Sequence, residues 1–295
     1  MVNQKGGAGK STTAANLAVA LSEPPLARRV LALDLDKQSN LTLMLGRAPG
    51  EVGGTMTDVF TGCPFAECLA RDPVNPRLAM IVGDQRLADV EFNLATAKRR
   101  EEVLARQLED ELDDFDYVLL DCPPNQGLLA VNAVVLCTEI LVPVRMTDPN
   151  SINGLGDLLA FLEEMHHAGW ARPIGAVLRL DVDRRLDLYQ TFNATLSQLH
   201  LPVSAVEIPT RTAVGKAAAR GVPIARWRPD SPAGVAYHRF AAELDAVAVA
   251  ALRGRRQWPR STSSSTIRLF AANAASMHHR CSSTPHPAGE RSQPA

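Results

Sequence analysis

Residues Asn3 to Thr13 read NQKGGAGKSTT and run directly into an apolar helical pattern, Ala14, Ala15, Leu17, Ala18 and Leu21. Gly6, Gly7 and Gly9 permit a backbone tight enough for its N–H groups to converge on phosphate oxygens, and a helix that opens there adds a dipole favouring an anion. In such a loop Gly6, Gly7, Ala8, Gly9, Lys10, Ser11 and Thr12 surround the phosphates of a nucleotide. Lys10 reaches the β/γ-phosphates, and the Ser11 hydroxyl takes a place on Mg²⁺. A glycine-rich turn capped by serine is the plainer alternative, but GKS after a glycine-rich loop at a helix start argues against it. The loop departs from G-x-x-x-x-G-K-[ST], because Gln4 stands where the first glycine belongs. It carries an additional cation, Lys5, at its entrance. From there the side chain does not fold naturally onto its own nucleotide, but can extend across a subunit boundary to a partner's phosphate.

Two carboxylates fit the same chemistry. Asp121 ends the apolar run Tyr117–Leu120 and is placed to hold Mg²⁺ through water; burying it without such a cation would cost several kcal/mol. Asp36 follows the run Val30–Leu35 and is placed to order an attacking water. An aspartate at a strand end also commonly caps the next turn, and that reading stands beside the catalytic one. Cys63, Cys68, Cys122, Cys137 and Cys281 show no zinc-ligand spacing, so reduced thiols are expected, with Cys122 a small apolar filler rather than a cluster ligand.

The elements that must position these groups alternate. Val30–Leu35, Leu78–Val82, Tyr117–Leu120, Ile140–Val144, Ile174–Leu178 and Ala205–Ile208 read as buried strands. Helical spacing covers Ser11–Leu21, Arg99–Leu112, Gly127–Leu136, Ile152–His167, Leu188–Leu199 and Pro232–Leu252. This is the pattern of an α/β fold, a doubly wound, mostly parallel sheet with helices on both faces, whose ligands bind at the carboxyl ends of the strands.

Of 295 residues, 46% are hydrophobic and 5% aromatic, with 31 basic and 32 acidic side chains, a globular balance with no strong overall field. No apolar run approaches a membrane span, and the N-terminus has no signal-peptide pattern, so a cytoplasmic location is expected. Residues 251–295 hold seven arginines against one acid, Glu290. A division into a catalytic domain, residues 1–252, and a Ser/Pro/Arg-rich tail without order, residues 253–295, is expected. The Ile267–Met277 stretch is too poor in apolar bulk for an amphipathic membrane anchor.

KGGAGKS resembles the deviant Walker A motif of the ParA/Soj and MinD ATPases. VLALDLDKQSNLT, residues 30–42, resembles that family's second strand and its D-x-D-P-Q-G-N segment, with Lys37 in place of proline and Ser39 in place of glycine. FDYVLLDCPPNQGLLAVNAV, residues 115–134, is similar to the partition-type Walker B and switch stretch, and IPTRTAVGKAAARGVPI, residues 208–224, to the last nucleotide-proximal strand and its helix. Four blocks in family order cover about the first 245 residues, and the DCPP and 208–224 blocks favour ParA over MinD. The resemblance implies that Asp36 is the hydrolytic carboxylate, Asp34 a supporting one, Lys5 a cation acting in trans, and Pro124 and Pro209 neighbours of the nucleotide. Only Met1 and Val2 precede Asn3, where the family carries an apolar strand, so the first strand is expected to be truncated.

What the resemblance implies is a partition ATPase with ATP and Mg²⁺ as cofactors and slow intrinsic turnover. ATP joins two subunits in a sandwich dimer, the dimer binds DNA without sequence preference on the nucleoid, and a ParB-like partner triggers hydrolysis and release. A MinD-like or other cargo-positioning ATPase, or a truncated inactive paralogue, are the alternatives. No N-K-x-D motif supports a GTPase, and nothing ahead of the loop leaves room for an operator-reading helix-turn-helix domain. Between Glu207 and Asp230 there is no acid, whereas Arg211, Lys216, Arg220, Arg226 and Arg228 supply five cations. They suit phosphate contacts; a solvated face with one or two ion pairs is the plainer reading.

Overall fold

A computed structural model describes residues 9–255 and 268–272. The described residues open with α1 (Lys10–Ser22) and β1 (Val30–Asp34), followed by short helices α2 (Asn40–Met44), α3 (Met56–Phe60) and α4 (Phe65–Cys68). Then come β2 (Ala70–Arg71), β3 (Leu78–Ile81), α5 (Leu87–Leu94), α6 (Val103–Leu108), β4 (Tyr117–Asp121) and α7 (Leu128–Leu136). β5 (Glu139–Arg145), α8 (Asn150–His167), β6 (Ile174–Val182), α9 (Asp187–Gln198) and β7 (Val203–Pro209) continue the alternation. α10 (Thr212–Ala218), α11 (Ile224–Trp227), α12 (Pro232–Arg255) and β8 (Arg268–Ala272) close it.

The eight strands form one sheet in the order β2-β3-β1-β4-β8-β5-β6-β7. Only β2 runs antiparallel to its neighbour. Alternation along the strands sorts side chains into two cores, as the two-residue period requires. Val118 and Leu120 of β4, with Leu31 and Leu33 of β1, pack with Leu129 and Ala133 of α7, Phe161 of α8 and Phe192 of α9. Tyr117 and Leu119, from the same β4, pack instead with Leu17 and Leu21 of α1 and Tyr237 and Phe240 of α12. The sheet is therefore covered on both faces, which is why its strands read as continuous apolar runs.

All six expected strands are present, and five of the six helices lie close to their expected limits. The stretch Arg99–Leu112 is helical only over Val103–Leu108, with a 3₁₀ turn at Glu109–Glu111. Arg99 has a positive φ of 51°, which breaks a helix, and the Leu104 N–H is bonded at 2.9 Å by Oδ1 of Asn132 on α7, which fixes where α6 begins.

Within the expected tail, five residues beyond α12 are described. Residues 268–272 are β8, a parallel strand between β4 and β5 at the centre of the sheet. The rest of the tail lies outside the described residues.

Across the α1–α12 face, the Asp245 carboxylate accepts two bonds from Arg28 at 2.8 Å and one from the Tyr117 hydroxyl at 2.9 Å. Burial opposes its charge, but these bonds to Arg28 and Tyr117 prevail and hold its pKa below the ordinary value. A depressed carboxylate contributes stability above its unfolded pKa, lost as pH falls through the lower folded value. Asp245→Ala is expected to cost about 2 kcal/mol at pH 7, by removing the carboxylate that accepts both Arg28 bonds and the Tyr117 hydroxyl. Denaturant melts should show this difference narrowing as pH is lowered below about 4; a loss independent of pH would mean the bonds to the ionised form carry none of it.

Candidate nucleotide site

The site is assembled where α1 begins and β1 and β4 end. Gly9 precedes α1 with φ 80°, left-handed backbone that glycine adopts without strain, and faces the end of the Leu180 side chain. Its carbonyl accepts the Thr13 N–H at 2.8 Å and starts the helix. Lys10, Ser11 and Thr12 form the first turn of this 13-residue helix, and that turn contains no acidic residue of its own. Lys5, Gly6, Gly7 and Ala8 lie outside the described residues.

Asp34 and Asp121 end β1 and β4 and are paired in register, so two carboxylates stand at one level of adjacent parallel strands. Both are fully buried. Their surroundings differ. Asp34 Oδ2 accepts the Thr42 N–H at 2.9 Å and the Thr42 hydroxyl at 2.7 Å, and Oδ1 accepts the Asp36 N–H at 3.2 Å. Burial pushes its pKa up to about 6, with the Thr42 and backbone bonds pulling the other way. Among the described residues neither oxygen of Asp121 has a partner at full hydrogen-bonding geometry, the Ser11 hydroxyl being its near neighbour. Burial, then the charge of Asp34, pushes Asp121 up to about 8, while the nearby Ser11 and Lys10 offset part of that cost. A buried carboxylate so placed beside a lysine and a serine hydroxyl suits a divalent cation.

Asp36 is nearly buried, its Oδ1 accepting the Gln38 N–H at 2.9 Å. The loop it opens contains Ser39 at φ 53°, left-handed backbone in the place where the resembling segment carries glycine. That conformation costs a residue with a Cβ roughly 1 kcal/mol. Lys37, in place of proline, is exposed.

Sequence reasoning missed the support beneath these aspartates. Thr42 bonds Asp34 twice and accepts the Gly83 N–H at 3.0 Å. A Cβ on Gly83 would come within 2.8 Å of the Asp34 carbonyl oxygen and 2.9 Å of its Cγ, so only glycine lets the end of β3 approach. Asp84, the next residue, is held by the hydroxyls of Thr55 at 2.8 Å and Thr57 at 2.6 Å and by Arg86. The small residue after β3 was the one available signal.

The other expected site residues are more dispersed. Pro124 is exposed just beyond β4. Pro209, at the end of β7, lines a cavity of about 330 Å³ with Val182, Arg184, Glu207, Pro232 and Ala236. Cys122 is buried and its thiol is pushed up, first by burial, which suits the filler role. Of the five cations, Arg211, Lys216, Arg220 and Arg228 are exposed. Arg226 leaves that group: it is paired with Glu23 at 2.6 Å and Asp72 at 2.7 Å, both acids brought from far away in sequence. α10 ends at Ala218, so Lys216 and Arg220 do not share a regular helix face; Arg220 instead bonds the Lys216 carbonyl at 3.2 Å. Arg220 and Arg228 each lie 4.7 Å from the centre of the Trp227 ring.

A family model described as an AAA domain matches residues 1–172. The sporulation initiation inhibitor protein Soj of Bacillus subtilis is 30% identical over 248 residues, 83% of this chain and 97% of that protein. The chain belongs to the ParA/Soj-type ATPases of the ParA/MinD family. The chromosome partitioning protein ParA of Caulobacter vibrioides is similarly 30% identical over 260 residues, 83% of this chain and 92% of that one. Among solved structures, cobyrinic acid a,c-diamide synthase from Mycobacterium smegmatis with bound ATP analog and magnesium is 26% identical. The match covers 90% of this chain and 97% of that one with a TM-score of 0.67. A ParA/Soj-type chain is a nucleotide-hydrolysing P-loop protein. Among the described residues no helix is long and apolar enough to cross a membrane.

In the ligand-free protein, an aspartate raised to about 8 opposes folding once it must ionise. The stability of its neutral form is present below the unfolded pKa, about 4, and is lost as pH rises through the folded one. Asp121→Asn is therefore expected to raise the ligand-free melting temperature at pH 7.5 and flatten its decline between pH 4 and 8. The same variant should lose the added stabilisation given by ATP with Mg²⁺. A melting temperature that does not rise would show that Asp121 is already compensated.

Proposed function

We propose that this chain is a DNA-partition ATPase. ATP is held on the first turn of α1, and binding joins two copies into a dimer that grips DNA without sequence preference. Hydrolysis, stimulated by a centromere-binding partner of the ParB type, releases it. The observation that carries the reading is the buried Asp121 carboxylate beside Lys10 and Ser11. The Soj and ParA relatives support the partition role.

Lys10 would neutralise the β/γ-phosphates and Ser11 with Asp121 would hold Mg²⁺, the aspartate through water; the ion supplies charge neutralisation for phosphoryl transfer. Asp36, close to the surface of the same edge, would orient the attacking water, with Asp34 fixing the loop that carries it. Lys5 would act on the partner's nucleotide. Gly6, Gly7, Ala8, Gly9 and Thr12 would surround the phosphates, and Pro124 and Pro209 would border the nucleotide, Pro209 from the rim of the cavity above β7.

DNA contacts are assigned to Arg211, Lys216, Arg220 and Arg228, with Arg226 reserved for its ion pairs. Their exposure and the absence of acids between Glu207 and Asp230 support this. Dimerisation would double the patch, so nucleotide would gate DNA affinity without touching DNA.

The decisive experiment measures DNA retention and ATP hydrolysis on the same preparations. Wild type should bind DNA only with ATP, regardless of sequence, with affinity falling steeply as salt rises. Asp36→Ala should retain ATP-dependent DNA binding while hydrolysing at least about 10-fold more slowly. The pair Lys216→Ala and Arg220→Ala should flatten the salt slope by about two phosphate contacts and spare basal ATPase. Tight DNA binding without nucleotide would refute the gating, and an unchanged slope would place the DNA surface elsewhere.

A further inference from the structure

Two cations of the acid-free segment are set against one aromatic ring. The guanidinium carbons of Arg220 and Arg228 each stand 4.7 Å from the centre of Trp227, over its face. Like charges gathered in one place repel, and a protein that wanted them neutral would bring acids to them. It does so for their neighbour Arg226, which Glu23 and Asp72 pair with at 2.6 and 2.7 Å. Among the described residues no carboxylate lies within ion-pair distance of Arg220 or Arg228. Both are exposed, and the bond from Arg220 to the Lys216 carbonyl at 3.2 Å leaves most of their donors open to solvent.

The ring itself is anchored. Trp227 packs, partly buried, against the core that holds Leu17, Tyr237 and Phe240, and it ends α11, whose Ile224 and Ala225 are fully buried. The Ala225 N–H is bonded by Asn16 at 2.9 Å, and the Ala225 carbonyl lies 3.0 Å from Nε2 of His238. The Arg228 carbonyl accepts the Ser231 N–H at 3.0 Å and the Ser231 hydroxyl at 2.7 Å. The two arginines are therefore set on a support that does not follow their motion. The five donors of a guanidinium lie in its own plane, so one resting over an aromatic face keeps its edges free for an anion to take with paired bonds. Held so, it also loses less rotamer freedom on binding than an arginine loose in water.

We propose that Trp227 is the positioning residue of the DNA surface: its ring holds Arg220 and Arg228 as a fixed pair that receives the phosphodiester oxygens of a DNA backbone. The proposal rests on the DNA reading of this segment and adds to it a residue that carries no charge. With guanidiniums over its face and the core beside it, the ring holds cations rather than stacking on a base, so the pair reads phosphate and not sequence. An incoming phosphate also relieves the repulsion between two cations that no acid neutralises.

Binding of the full chain, with ATP and Mg²⁺, to a DNA duplex of mixed sequence tests this. Trp227→Leu removes the aromatic face and no charge, and should weaken binding at least about 5-fold. Trp227→Phe keeps a face for the cations and should stay within about 2-fold of wild type. In a chain already carrying Arg220→Ala and Arg228→Ala, Trp227→Leu should change nothing further, because no cation is left to place. An equal loss in both backgrounds would reduce Trp227 to core packing and overturn the proposal. Wild type that binds no DNA with ATP would strike the DNA reading and the proposal with it, whereas tight wild-type binding untouched by Trp227→Leu would strike the proposal alone. Should the leucine variant not fold, NMR of wild type decides. The Nε–Hε signals of Arg220 and Arg228 should lie upfield, shifted by the ring current of Trp227, and should move when duplex is added with ATP and Mg²⁺. Signals at their ordinary position, or unmoved by DNA that is bound, would overturn it.

Discussion

Two carboxylates buried at one level of adjacent parallel strands are the constraint around which this protein is arranged. Asp34 and Asp121 cannot both be ionised there without compensation, since each lacks water and each raises the cost of the other. The chain compensates one of them internally. Three donors, two from Thr42 and one from the Asp36 backbone, converge on Asp34. For Asp121 the described residues supply the nearby Ser11 hydroxyl and the charge of Lys10, and no donor at full hydrogen-bonding geometry. The asymmetry separates an acid satisfied by its own fold from one that the described residues satisfy less fully.

Holding that arrangement requires a sheet rigid at β1 and β4 and a helix whose N-terminus points at their ends. β4 provides the first by dividing its side chains between two cores, Val118 and Leu120 to one, Tyr117 and Leu119 to the other. Glycine provides the second twice over. Gly9 lets α1 start against Leu180, and Gly83 lets the end of β3 close on the Asp34 loop. The loop after β1 is less well accommodated, because Ser39 occupies left-handed backbone that glycine would adopt without strain.

Much of this was legible from local pattern. Apolar runs of a length that only buried strands use, alternating with helical spacing, fixed the α/β class, and GKS at a helix start marked Lys10 and Ser11. What escaped the sequence depends on contacts between distant segments. Thr42 matters because Asp34 folds back to it, and Arg226 is withdrawn from the cationic group because Glu23 and Asp72, more than 150 residues earlier, meet it. β8 escaped for a different reason. Within an Arg/Ser/Pro-rich segment, a five-residue run has no periodicity long enough to register, and its pairing with β4 and β5 joins segments more than 120 residues apart.

The connection between the nucleotide edge and the cationic segment can be traced through one buried side chain. Asn16 of α1 donates its amide to the Thr12 carbonyl at 2.8 Å, in the turn that carries Lys10 and Ser11. Its oxygen accepts the Ala225 N–H of α11 at 2.9 Å. Both ends of the carboxamide are therefore engaged, and any tilt of the first turn of α1 must be followed by α11 or break a buried bond. α11 in turn carries Trp227, the ring over which Arg220 and Arg228 are set. The cations are thus not placed independently of the phosphate site: their platform is bonded to the same helix turn. A contact of this kind transmits motion only if α1 has two positions to choose between.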